Sequence, residues 1–131
     1  LELCEISLDG HWNQQNILTQ KEIHSVLRDM IMALKHLSSI NCAHLDVKPG
    51  NILRCSNGVY KLADFSAAID LNKEVSPSAE FGDGRYAAPE LLTNQFTSKA
   101  DLFSLGISLS QVSIPSDSPL SVEERTSIKE D

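Results

Sequence analysis

The sequence predicts an α+β fold, mainly helical, with a short β-hairpin beside a polar loop. Three observations predict it: a strongly amphipathic stretch from Thr19 to Ile40, two short apolar runs at Asn51–Cys55 and Val59–Ala63, and an apolar stretch from Asp101 to Val112. In the first, Thr19 followed by Glu22 makes a capping box, in which hydroxyl and carboxylate each take up an orphan amide. Behind it Ile23, Val26, Leu27, Met30, Ile31, Leu34 and Leu37 recur three and one residues apart, an apolar stripe down one helix face. His24, Arg28, Asp29, Lys35 and His36 mostly take the other face.

The two apolar runs flank Ser56-Asn57-Gly58, a tight-turn signal that reads as a hairpin. From Ser66 to Ala87 small, charged and turn-forming residues mix with Pro77, Gly82 and Gly84, which predicts a long irregular loop of the kind that carries function or disorder. Asp101–Val112 reads as a second helix. From Ile114 to Asp131 the chain turns to Ser, Pro and charge and is expected to be a mobile tail. Ser76-Pro77 and Ser118-Pro119 are minimal proline-directed phosphorylation sites of a kind common by chance.

Composition narrows the function classes. The chain has 131 residues, enough for one core, and 11 Lys+Arg against 18 Asp+Glu give a net charge of −7. That balance argues against a surface for nucleic acid or anionic membrane, since both need basic residues to replace phosphate counterions. No apolar run reaches membrane-spanning length and no basic, then apolar leader opens the chain. Leu1 in place of Met points to a fragment or processed product. Cys4, Cys42 and Cys55 are too few, and odd in number, for a disulfide scaffold; they fit a reducing compartment and are expected to be small buried apolar residues. His11, His24 and His36 share no metal-ligand spacing with them. Trp12 is expected to pack on the helix that follows.

The segment that carries chemistry is His44-Leu45-Asp46-Val47-Lys48-Pro49-Gly50-Asn51, between the long helix and the hairpin. It puts a carboxylate, an ammonium and a carboxamide at i, i+2 and i+5 of one loop. The same residue types also make a polar surface turn. Phosphoryl transfer asks for this set: Asp46 to orient the attacking hydroxyl and take its proton, Lys48 to neutralise the moving phosphoryl group, and the Asn51 oxygen to ligate Mg²⁺. Ala63-Asp64-Phe65-Ser66 adds a second carboxylate at the end of the hairpin, so Asn51 and Asp64 together form a candidate Mg²⁺ site.

Ala88-Pro89-Glu90 and then Asp101-Leu102-Phe103-Ser104-Leu105-Gly106 follow in order, completing the protein-kinase signature from the catalytic loop onward. The chain therefore resembles the C-terminal lobe of a eukaryotic protein kinase. The resemblance implies a kinase-like fold over residues 1–113, with residues 114–131 a flexible tail. It also implies ATP and Mg²⁺ as cofactors, a protein substrate, and an intracellular setting in nucleus or cytoplasm. Leu1-Glu2-Leu3-Cys4 looks like the hinge, with Glu2 and Cys4 facing adenine and Leu53 beneath the ring. His44 and Phe65 match the pair that stacks through the core, Asp101 the carboxylate that anchors the catalytic-loop backbone, and Glu90 one half of a buried ion pair.

Lys48 is of serine/threonine type, Leu45 stands where an Arg usually pairs with an activation-loop phosphate, and Asp83 stands where Thr is usual. His-Leu-Asp-Val-Lys-Pro with Gly82-Asp83-Gly84-Arg85-Tyr86 is similar to the Wee/Myt family of cell-cycle inhibitory kinases, with Leu45 and Tyr86 leaning toward Myt. That implies a cyclin-dependent kinase as substrate and no need for activation-loop phosphate. Two departures qualify it. Ser66 replaces a Gly of the metal-binding motif, which is expected to change the loop. The sequence also carries no Gly-rich phosphate loop, no strand Lys with its helix Glu, and no Arg partner for Glu90. An unpaired buried charge costs on the order of 3–5 kcal/mol, so the 131-residue chain alone is expected to be marginally folded and inactive. The rival readings are a non-catalytic kinase-like binding module or truncated pseudokinase, and a serine/threonine kinase unrelated to the cell cycle.

Overall fold

A long helix backs a small antiparallel sheet, and a second helix closes the other end of the core. The computed structural model describes residues 3–14, 17–76 and 78–114. In chain order these form β1 (Cys4–Ser7), α1 (Leu8–Asn13), α2 (Gln20–Ser39), β2 (Cys42–Ala43), a 3₁₀ turn at Pro49–Asn51, β3 (Ile52–Cys55), β4 (Tyr60–Leu62), β5 (Ile69–Asp70), a second 3₁₀ turn at Pro89–Thr93, and α3 (Lys99–Val112). The mixture matches the expected α+β class. The tail expected from Ile114 onward lies, apart from Ile114 itself, outside the described residues, as do Glu2 and Pro77.

Helix α2 starts where its capping box sets it. Glu22 N–H donates to the Thr19 hydroxyl at 3.2 Å, and the Glu22 carboxylate accepts from Thr19 N–H at 2.8 Å. That bond holds the Glu22 carboxyl below its ordinary pKa. The apolar stripe then divides. Val26, Met30 and Leu34 are buried with Leu8, Leu18, Ile52, Tyr60, Leu105 and Val112 in the main core, while Leu27 and Ile31 remain partly exposed. Trp12 packs on the edge of this core, and its indole N–H donates to the Ile114 carbonyl at 2.8 Å.

The hairpin forms as β3 and β4, with Ile52 opposite Leu62 and Arg54 opposite Tyr60. The sequence reading missed its third strand. β1 pairs antiparallel with β3, Cys4 opposite Cys55 and Ser7 opposite Leu53, with an irregularity between Cys4 and Ile6. This register corrects the expectation for the cysteines: Cys4 and Cys55 are joined by a disulfide, only Cys55 is fully buried, and Cys42 is a free thiol. An odd count excludes a scaffold of several bridges but says nothing about two strands that place one pair face to face. The loop from Ser66 to Ala87 is irregular as expected, except where Ile69–Asp70 pairs with β2.

A second buried cluster of Ala43, Leu45, Ala88, Leu91 and Ala100 ties the loop after β2 to the segment before α3. Beside it Asp101, 1 % exposed, accepts the backbone N–H of His44 at 2.8 Å and of Leu45 at 2.9 Å. Burial pushes its carboxyl pKa up, and these two bonds oppose the shift. One side chain of α3 thus fixes a loop nearly sixty residues upstream, and holds Leu45 in a left-handed conformation at φ 63° that side chains rarely adopt.

Two predictions follow from these anchors. Asp101→Ala orphans two buried donors at about 1–3 kcal/mol each, so its denaturant midpoint falls well below wild type, with Asp101→Asn between; equal midpoints would refute the anchor. Thr19→Ala costs about 1 kcal/mol. Because the Glu22 pKa is lowered on folding, its contribution is complete above the ordinary carboxylate range and is lost as pH falls through the folded value. Acid titration of stability should therefore be shallower in Glu22→Gln than in wild type.

Candidate active site

Between β2 and β3 the chain has eight residues to cross from one sheet to the other, and hydrogen bonds tie His44, Leu45, Asp46, Lys48 and Asn51 of that loop. His44 is fully buried; Asp46 N–H donates to its Nδ1 at 3.2 Å, so Nε2 carries the proton and donates to the Ala63 carbonyl at 3.0 Å. Pro49 opens the 3₁₀ turn with its fixed φ, and Asn51 N–H closes it on the Lys48 carbonyl at 2.9 Å. Asn51 is buried and gives its side-chain N–H groups to the Asp46 carbonyl at 2.9 Å and to Asp46 Oδ2 at 3.1 Å. Its amide nitrogen is therefore committed to Asp46, and its side-chain oxygen points away from that carboxylate.

Asp46 and Lys48, two residues apart, meet with Lys48 Nζ 3.7 Å from Asp46 Oδ2. The other oxygen, Oδ1, accepts from Asp83 N–H at 2.9 Å across 37 residues of sequence. Gly82 makes this approach feasible: a β-carbon there would lie 2.1 Å from Asp46 Oδ1, so only glycine fits. Gly82 N–H also donates to the Leu45 carbonyl at 2.9 Å. The Asp83 carboxylate is gripped by Arg85, with Nη2 to Oδ2 at 2.7 Å and Nε to Oδ1 at 3.1 Å, which holds it below its usual pKa. Tyr86 is buried, its hydroxyl bonded to Gln111 of α3 and its carbonyl accepting the Ser104 hydroxyl at 2.7 Å. In the sequence Gly82 reads as a turn former of the irregular loop and, with Asp83, as part of a resemblance. Their signal was a Gly-x-Gly pair closing a long irregular loop, but the contact with Asp46 is tertiary.

Asp64 follows β4 with φ 59°, a left-handed conformation that Asp tolerates better than most residues. It is exposed, and Ser66 donates its hydroxyl to Asp64 Oδ1 at 2.6 Å and its N–H at 3.2 Å, the two bonds that lower the Asp64 pKa. Ser66 itself has no left-handed torsion. The change expected in the loop for want of a glycine brings no left-handed torsion at Ser66, whose side chain is instead a partner of the carboxylate. Asn51 and Asp64 offer two hard oxygen donors. Among the described residues no group of three or more His, Cys, Asp or Glu side chains is arranged to hold a metal ion. A donor set this small fits Mg²⁺, which takes one or two protein oxygens and fills its octahedron with phosphate and water.

The remaining predicted positions divide. Cys4 and Leu53 lie on the paired strands β1 and β3, but the register sets Cys4 opposite Cys55 and Leu53 opposite Ser7. Phe65 meets His44 edge-on with ring centroids 4.8 Å apart, yet is 51 % exposed. Its outer side lines an open hollow of about 360 Å³ between α2 and β4, with Met32, Leu37 and Leu62, and no described residue closes over it. Glu90 is half-buried in the 3₁₀ turn with its carbonyl bonded to Thr93 and Gln95, and its carboxylate has no ion pair among the described residues.

The sequence matches the protein kinase domain over residues 1–130. It is 38 % identical over 133 residues to the membrane-associated tyrosine- and threonine-specific cdc2-inhibitory kinase of Drosophila melanogaster, covering 98 % of this chain and 25 % of that protein. It is 39 % identical over 119 residues to the corresponding wee-1.3 kinase of Caenorhabditis briggsae, covering 90 % and 18 %, and 38 % identical over 112 residues to the Wee1-like protein kinase of Arabidopsis thaliana, covering 83 % and 22 %. The chain thus spans about a quarter or less of the length of these relatives. A match over this length shows the family: the chain belongs to the protein kinase domain family, and within it resembles the Wee kinases.

Proposed function

We propose that this chain is the catalytic-loop half of a protein kinase that transfers the ATP γ-phosphate to a protein hydroxyl. The observation that carries this reading is the state of Asp46: its carboxylate is oriented by Asn51 on one oxygen and by Asp83 N–H on the other, with the Lys48 ammonium 3.7 Å away. A carboxylate held in this way is positioned to accept the acceptor's proton without reorganising, which is where electrostatic and geometric preorganisation act on the barrier.

In this reading Asp46 holds the attacking hydroxyl and takes its proton, while Lys48 lies beside the transferring group to offset its charge. Asn51 and Asp64 hold Mg²⁺, which when bound neutralises phosphate oxygens of ATP. The bonds from Ser66 hold the Asp64 carboxyl below its ordinary pKa. Cys4 and Leu53, together with Glu2, face adenine. His44, Phe65 and Asp101 keep the loop in place, and Glu90 would pair with an Arg of the complete protein.

The substrate class follows from the relatives. Proteins named as cdc2-inhibitory kinases match over most of this chain, and the Saccharomyces cerevisiae relative is named a mitosis inhibitor. The proposed substrate is therefore a cyclin-dependent kinase, and the role negative control of the cell cycle within nucleus or cytoplasm. Leu45 supports independence from activation-loop phosphate, since its buried side chain lies against Ala88 and Leu91 where a phosphate-binding Arg would present charge. Some relatives are named membrane-associated; among the described residues no helix is long and apolar enough to cross a membrane.

The test is Asp46→Asn in the complete protein that carries this chain, assayed on a cyclin-dependent kinase. Turnover should fall by at least a thousandfold on the order expected for loss of an oriented base within a preorganised site, with nucleotide affinity within about twofold of wild type. Turnover retained in this variant would refute the assignment and favour the binding-module reading.

A further inference from the structure

The disulfide between Cys4 and Cys55 has no part in the catalytic reading, yet it joins the strand assigned to adenine to its neighbour in the sheet. Its two sulfurs are unequal. Cys55 is 1 % exposed and lies on the central strand of the β1-β3-β4 sheet. Its backbone is held by the turn that follows, with N–H on the Val59 carbonyl and carbonyl on Gly58 N–H, each at 2.9 Å. Cys4 is half-buried on the edge strand, and its neighbour in the chain, Leu3, is exposed. A dissolved thiol or disulfide therefore reaches Cys4 and not Cys55. Cys42, the free thiol, lies in the other sheet opposite Asp70 and has no cysteine across from it. The position of the bond matters too. β1 pairs with β3 through Ile6 and Ser7, but the register breaks between Cys4 and Ile6. The disulfide ties the Cys4 end of β1 to the sheet beyond that break.

We propose that Cys4 and Cys55 form a reversible thiol switch that reacts with thiols and disulfides of the glutathione class. Cys4 is the sulfur attacked, Cys55 the resolving cysteine, and the bonded state binds nucleotide more tightly. The effect on nucleotide rests on the reading of Cys4 and Leu53 as facing adenine; the exchange chemistry does not. In oxidation the Cys4 thiolate attacks a sulfur of glutathione disulfide, forming a mixed disulfide and releasing one glutathione thiolate. The Cys55 thiolate then attacks Cys4 Sγ and expels the second. Two cysteine thiols become one disulfide, glutathione disulfide becomes two thiols, and the two cysteine protons pass through water to the released thiolates. Reduction runs the same steps backwards, starting with a glutathione thiolate on Cys4 Sγ. Tying down the Cys4 end removes freedom that nucleotide binding would otherwise have to remove, and such preorganisation strengthens binding.

The experiment uses the complete protein that carries this chain, as wild type, Cys4→Ser, Cys55→Ser and Leu53→Ala. Each is incubated with glutathione disulfide or with reduced glutathione. Peptide mass mapping reads the two cysteines, and titration with ADP reads nucleotide affinity. Wild type should form the Cys4–Cys55 bond with no glutathione retained on either residue, and reduced glutathione should open it. Cys55→Ser, which cannot resolve the adduct, should keep one glutathione on Cys4, whereas Cys4→Ser should keep none on Cys55. Oxidised wild type should bind ADP about three- to tenfold more tightly than reduced, and Cys55→Ser should show no such tightening. Absence of the bond in oxidised wild type overturns the inference. So does glutathione on Cys55 of Cys4→Ser as readily as on Cys4 of Cys55→Ser. Equal ADP affinity in the two states of wild type overturns the switch. The adenine assignment then stands if Leu53→Ala weakens ADP binding about threefold or more through its lost apolar contact, and falls with the switch if it does not.

Discussion

Two backbone N–H groups, those of His44 and Leu45, end on the two oxygens of one buried carboxylate, Asp101. The rest of the site depends on that arrangement. A loop that must expose Asp46 and Lys48 cannot also bury their side chains as its own support, so its stability comes from its backbone. The anchor lies on α3, a helix packed into the same core as α2 and β3, so the loop inherits the rigidity of the core. Burying the acid raises its pKa, and the two bonds it accepts offset that cost. With Leu45 fixed, its carbonyl faces Gly82 and its side chain enters the cluster of Ala88 and Leu91.

From that fixed point the site is assembled by successive donors. His44 donates to Ala63 from one ring nitrogen and accepts from Asp46 N–H on the other, linking the loop to the end of β4 where Asp64 begins. Asn51 returns its amide to Asp46. The 82–86 segment then closes from the opposite side, at a distance only a residue without a side chain allows. Each link pairs a part-buried polar group, and each also fixes the orientation of a residue of the proposed site. The same hydrogen bonds therefore supply both structure and preorganisation.

The departures from sequence expectation share a cause. Ser66 was read as a glycine lost, on the assumption that its torsions were the constraint. The structure places the left-handed residue at Asp64 and gives the Ser66 hydroxyl to the neighbouring carboxylate. The cysteines were judged by number, whereas the pairing of β1 with β3 decides which of them meet. Phe65 was expected inside the core and instead borders an open hollow, because a side chain's burial depends on what lies above it. In each case a local property was read correctly and its surroundings were not encoded nearby in the chain.

Periodicity and order were enough for part of the answer. The capping box and apolar stripe of α2, the β3–β4 hairpin and the order of Asp46, Lys48, Asn51 and Asp64 are all local patterns, repeated every two to four residues or set within one loop, so the sequence by itself determined them. Tertiary structure decided the rest: that β1 adds a third strand, that Asp101 holds the loop, and that Gly82 and Asp83 press against Asp46. Those contacts join residues 36 to 57 positions apart. Their distances depend on how helices and strands pack around a common core, and no short-range pattern in a chain records that packing.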